Sequence, residues 1–101
     1  MGSYNKLVRD KIPEILDKKG VKYEKRVASD SEYKTELIKK LEEEIKEFKV
    51  AGDPEELADI TEVIETLKKL PEYKEVENLR NKKKIEKGGF DQKIILKGQK
   101  D

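Results

Sequence analysis

The four residues Ala51-Gly52-Asp53-Pro54 constrain this chain more than any other feature, because a long stretch of helical apolar spacing lies on each side of them. Asp53 is a helix cap, Pro54 suits the first helical position, and Glu55 and Glu56 sit where the helix dipole favours acids. The preceding helix starts at Ser29, with Glu32 at capping-box spacing, and runs to about Val50. The following one runs to Leu70 and stops at Pro71. A turn this short predicts an antiparallel helix pair.

The flanks are less regular. Asp10 is placed to cap a helix through Lys19, with Pro13 in its first turn and Gly20 after its end. Val21 to Val27 alternates, which predicts a strand. A fourth helix is expected from about Pro71 to Lys87, with Tyr73, Val76 and Leu79 on one face and Gly88-Gly89 ending it. Phe90 and Ile94-Ile95-Leu96 read as a short strand or an extended tail that packs. With no internal repeat and no linker, residues 1–101 read as one all-α domain. Its centre is a helix pair, and short extended segments lie at its ends. Met1-Gly2-Ser3 reads as a cloning remnant.

Composition narrows the chemistry. Leu, Ile, Val and Phe together number 26 of 101 residues, enough for a fold but only a thin core. A chain of this size buries only about two-thirds of its unfolded surface, so a homo-oligomer, dimer or tetramer, is expected. The chain has no Cys and no His, which excludes disulfides, thiolate nucleophiles, imidazole bases and zinc sites built on either residue. Acid–base or metal chemistry falls to Asp, Glu, Lys and Tyr. No apolar stretch suits a membrane helix and no signal peptide is visible, so a cytoplasmic protein without a membrane partner is expected.

Net charge is +1 but segregated: 10 acids against 2 Lys between Glu42 and Glu65, and basic excess at both ends. On a helical projection with Leu41 at zero, Glu44 falls at about −60°, inside the apolar arc, and Glu47 at about −120°, at its border. With Leu57 at zero, Glu56 falls at about −100°, inside the arc of the next helix, and Asp59 at about −160°, at its edge. Glu42 and Glu43 point away. A buried carboxylate is costly unless paired or bound to a cation. Two i, i+3 acid pairs on adjacent helices therefore form a constellation suited to Mg²⁺, with Mn²⁺ as the alternative. The plainer reading is that Glu56 closes a capping box with Asp53 and Glu47 pairs with a neighbouring Lys.

Tyr4-Asn5-Lys6-Leu7-Val8-Arg9-Asp10-Lys11-Ile12-Pro13, Leu41 to Glu47, Glu55 to Ile60 and Lys87-Gly88-Gly89-Phe90 occur in an order that resembles the all-α nucleoside triphosphate pyrophosphohydrolase superfamily. Within it the chain is similar to the MazG-like, phosphoribosyl-ATP pyrophosphohydrolase-like house-cleaning branch. The resemblance covers nearly the whole chain. It implies a MazG-like helical bundle that oligomerises. It also implies Mg²⁺-dependent cleavage between the α and β phosphates of a nucleoside triphosphate, giving monophosphate and pyrophosphate. By motif position it makes Glu44, Glu47, Glu56 and Asp59 the metal ligands. Two departures stand out: only 8 residues separate Glu47 from Glu56, and Lys87 stands where this branch often has Arg.

Glu44 is the first choice for the catalytic role, as a shared ligand that also positions water. The candidates for holding phosphates are Lys6, Arg9 and Lys11 near the start and Lys83, Lys84 and Lys87 near the end. Arg9 alternatively pairs with Asp10, and the lysines alternatively form a solvated helix end. Tyr4, Tyr33 and Phe90 are base-stacking candidates, with Tyr33 favoured as core. Phosphoribosyl-ATP hydrolysis and a non-catalytic helical interaction or scaffold protein are the competing functions. The balanced net charge speaks against a nucleic-acid partner.

Overall fold

The structure, a computed structural model, describes residues 5–99. Tyr4 and Met1-Gly2-Ser3 lie outside the described residues. Within them the chain forms four helices and no strand: α1 (Ile12–Lys18), α2 (Asp30–Ala51), α3 (Pro54–Leu67) and α4 (Val76–Lys87), with one 3₁₀ turn at Pro71–Tyr73. No described helix is long and apolar enough to cross a membrane.

The helix pair forms as its sequence predicts. Ser29 Oγ accepts from the Glu32 backbone N–H at 3.3 Å, which starts α2. Glu32 does not complete the capping box, because its carboxylate takes both ends of the Arg26 guanidinium at 2.6 and 2.7 Å. At the other end Gly52 turns left-handed at φ 62°, and its N–H donates to the Phe48 carbonyl at 2.7 Å. Asp53 Oδ1 then accepts from the Glu56 N–H at 2.9 Å and starts α3. Two residues thus reverse the chain and lay α3 along α2. The interior between them is small: Leu37 and Val63 are its buried apolar side chains, and Glu44 is buried beside them.

The ends depart from expectation. Asp10 does not cap α1; the Ile12 N–H is taken by the Arg9 carbonyl at 3.1 Å, in a turn that delays the helix to Ile12. The alternation from Val21 to Val27 does not produce a strand, because the described residues offer no second strand to pair with. Instead Tyr23 donates to Asp17 at 2.7 Å, and Val27 lies in solvent. α3 stops at Leu67 rather than Leu70: the N–H groups of Lys69 and Leu70 tighten onto Thr66 and Leu67, and Pro71 forces Leu70 into extended backbone. The fourth helix is therefore split, and α4 proper begins only at Val76. Tyr73 and Val76 are half-buried, whereas Leu79 is exposed. The tail does not pack: Phe90 is 99% exposed and Ile95 94%.

Ion pairs secure the periphery. Lys6 reaches Glu43 at 3.2 Å and Arg9 reaches Asp59 at 2.7 Å, so the segment before α1 spans both long helices. Lys34 meets Glu72 at 3.4 Å and lies 5.2 Å from the centre of the Tyr73 ring. Lys68 and Arg80 both hold Glu77.

Candidate metal centre

The tight hairpin brings the fourth and fifth turns of α2 beside the first two turns of α3, which is where the misplaced acids lie. Glu44, Glu56 and Asp59 each offer a carboxylate oxygen, and these oxygens lie within 4.8 Å of one another. Glu44 is only 6% exposed; Glu56 and Asp59 are half-buried. Glu44 Oε2 and Glu56 Oε2 are shielded from solvent and have no hydrogen-bond partner. A buried carboxylate oxygen without a donor is costly in a folded chain. A hard cation with oxygen ligands is the partner such a donor set fits.

The electrostatics carry the same strain. Burial pushes the Glu44 carboxyl up, and Glu47 and Asp59 push it further, against Lys40. Burial, then Glu47, Asp59 and Glu44, raise Glu56 from 4.5 to about 7. Burial acts on Glu43 too, but Lys6 and Lys40 outweigh it and hold that group below its ordinary value.

The Asp53–Glu56 contact is half a capping box: the backbone bond forms, while the Glu56 carboxylate turns toward the other acids. Glu47 is exposed and stands outside the close trio, though near enough to raise both Glu44 and Glu56.

A cleft of about 300 Å³ opens beside the acids. Leu7, Val8, Arg9 and Asp10 form one wall, Tyr33, Leu37, Lys40 and Glu44 the α2 wall, and Asp59, Glu62, Val63 and Thr66 the α3 wall, with Lys69 beyond. Of the phosphate candidates, Arg9 lines this cleft, paired with Asp59 rather than Asp10. Lys6 is engaged by Glu43, and Lys11 is exposed at the start of α1. Lys83, Lys84 and Lys87 lie on the exposed α4 and are not part of the cleft. Tyr33 is half-buried in the cleft wall, and Phe90 stands clear of it.

Sequence reasoning missed Lys40, whose Nζ lies 3.6 Å from Glu43 and 3.5 Å from Glu44. The signal was present: Lys40 precedes Glu44 by one helical turn and projects to the same side. It also missed Lys69 and Thr66, which depend on where α3 ends. Comparison with family models, curated proteins and solved structures finds no match.

Proposed function

We propose that this chain is a Mg²⁺-dependent nucleoside triphosphate pyrophosphohydrolase, with Glu44, Glu56 and Asp59 as the inner metal ligands and Glu47 at the rim. The observation that carries the metal site is the pair of shielded, unpartnered oxygens on Glu44 and Glu56. The adjoining cleft supports the rest. It joins a carboxylate cluster to cationic groups, Arg9, Lys40 and Lys69, as a triphosphate bound through a divalent cation requires. The order of the sequence motifs supports the particular reaction and the house-cleaning branch.

When bound, Mg²⁺ supplies charge neutralisation at the phosphates and a more acidic water. The protein's own groups do the remainder. Arg9 presents its guanidinium toward the cleft and exchanges Asp59 for a phosphate oxygen. Lys40 offsets the charge of Glu44, which keeps an acid tolerable at the seam. Glu44, which lines the cleft, is the group placed to orient the attacking water. Leu7, Val8 and Tyr33 give the cleft an apolar wall for the nucleoside.

The test is pyrophosphate release with Mg²⁺ across the standard nucleoside triphosphates, damaged ones and phosphoribosyl-ATP, with Glu56→Gln as control. Release that disappears in the variant supports the reading, and the best substrate assigns the branch. No release from any of them, with no Mg²⁺-dependent rise in melting temperature, overturns it in favour of a helical scaffold.

A further inference from the structure

Two of the three close acids already have a cationic side chain beside them. Lys40 Nζ stands 3.5 Å from Glu44, and Arg9 Nη2 donates to Asp59 Oδ1 at 2.7 Å. The two cations differ in what carries them. Lys40 belongs to α2, one turn from Glu44, and is fixed with that helix. Arg9 belongs to the segment before α1 and reaches Asp59 across fifty residues of sequence. That segment is a strap over the hairpin with two pins. Lys6 holds Glu43 on α2 at 3.2 Å, and Arg9 holds Asp59 on α3. Between the pins Leu7 and Val8 are half-buried and form part of one cleft wall. The pins are not equivalent, because Asp59 belongs to the acid trio and Glu43 does not.

We infer that the Arg9–Asp59 pair is a latch opened by the divalent cation, so that metal binding and closure of the strap compete for Asp59. This rests on the acid trio being a cation site and adds the regulation of that site. Arg9 and the cation draw on the same carboxylate charge, so each weakens the other's hold by the same factor. Burial decides which of them prevails. The Arg9 and Asp59 side chains are 56% and 39% exposed, and an ion pair this wet is weak. Glu44 is 6% exposed, and it and Glu56 each carry a shielded oxygen with no donor, a deficit that a cation relieves and Arg9 does not. The cation therefore displaces Arg9 rather than the reverse. Glu43 lies outside the trio, so the Lys6 pin stays shut and the strap swings about it instead of detaching. For the proposed reaction this sets an order. The cation comes first and frees Arg9 at the edge of the cleft; the phosphates come second, recapture Arg9 and close the wall over the substrate.

Calorimetric titration of the full chain with Mg²⁺ tests the latch in wild type, Arg9→Gln and Lys6→Gln. Removing one unit charge beside a divalent cation in a wet site should tighten Mg²⁺ binding about fivefold to tenfold in Arg9→Gln. Lys6→Gln should change it about twofold or less, because its partner lies outside the trio and solvent screens the longer distance. A second readout needs no substrate. NOEs between the Leu7 and Val8 methyls and the hairpin should weaken when Mg²⁺ is added to wild type, and should be weak from the outset in Arg9→Gln. Mg²⁺ binding that is weaker in Arg9→Gln, or unchanged, overturns the latch while leaving the hydrolase reading to its own assay; weaker binding would make Arg9 a support that holds Asp59 in place. Methyl NOEs that persist in saturating Mg²⁺ overturn the latch as well. Mg²⁺ that binds neither chain overturns the latch and the metal centre together. Tighter binding in Arg9→Gln without pyrophosphate release from any substrate upholds the latch and removes the hydrolase reading.

Discussion

Adding Mg²⁺ or Mn²⁺ should raise the melting temperature, and the rise should depend on pH in a way set by Glu56. A metal that binds the folded chain stabilises it by mass action. For a small carboxylate site we take a dissociation constant on the order of 1 mM, the weak end of oxygen-ligand sites. At tenfold excess the linkage gives about 1.4 kcal/mol. For a domain of this size that is a shift of about 6–11 °C. Protons compete for the same oxygens. With Glu56 at about 7, its carboxyl is mostly protonated at pH 6 and mostly ionised at pH 8. Apparent metal affinity should therefore be about tenfold weaker at pH 6 than at pH 8. Without metal the trend reverses. Glu56 binds its proton more tightly folded than unfolded, so its contribution to stability is present below 4.5 and is lost as pH rises through about 7. Differential scanning fluorimetry at pH 6, 7 and 8, with and without 10 mM Mg²⁺, reads both trends. In Glu56→Gln the metal-free protein should be the more stable at pH 8, and the metal shift should collapse. A metal shift equal at all three pH values, or equal in the variant, would refute the account of the acid cluster.

Three further outcomes follow from the local geometry. Glu77, held by Arg80 and Lys68, is lowered to about 2, so its contribution is present above 4.5 and is lost as pH falls through about 2; carboxyl-carbon NMR titration should place its midpoint well below those of exposed glutamates. Gly52→Ala should cost about 1 kcal/mol from the left-handed backbone alone, because an added Cβ meets nothing closer than the Phe48 oxygen at 4.0 Å; a urea midpoint unchanged from wild type contradicts this. Asp53→Ala should cost about 1 kcal/mol through the lost cap. It should also weaken Mg²⁺ binding, since that bond fixes the first turn carrying Glu56; calorimetry showing unaltered binding separates the cap from the site.

The central hairpin was legible because each signal in it is local. Ser29, Gly52, Asp53 and Pro54 act within one helical turn, and the structure uses each as expected. The acids were legible for a different reason: Glu44 and Glu56 violate the apolar arcs of their own helices, and such a violation needs only the helical period to detect. What stayed hidden depends on distant partners. The alternation of Val21 to Val27 looks like a strand only if another strand exists, and none does among the described residues. The roles of Lys6 and Arg9 depend on where the segment before α1 crosses the hairpin. Leu79 and the 94–96 tail read as core from their side chains alone, yet one chain provides no surface to cover them.

The two-residue turn at Gly52 and Asp53 also sets an order of events. Contacts across the α2–α3 hairpin close only a short loop, so they form at small entropic cost and early. The segment before α1 must wait, because Arg9 meets Asp59 across fifty residues of sequence. The acid seam therefore exists before the segment that roofs it. In pulse-labelled hydrogen exchange the amides of α2 and α3 should gain protection in the first phase, with those of residues 5–11 following. A nascent chain emerging in the presence of Mg²⁺ would then meet its cation while the cleft is still open on that side.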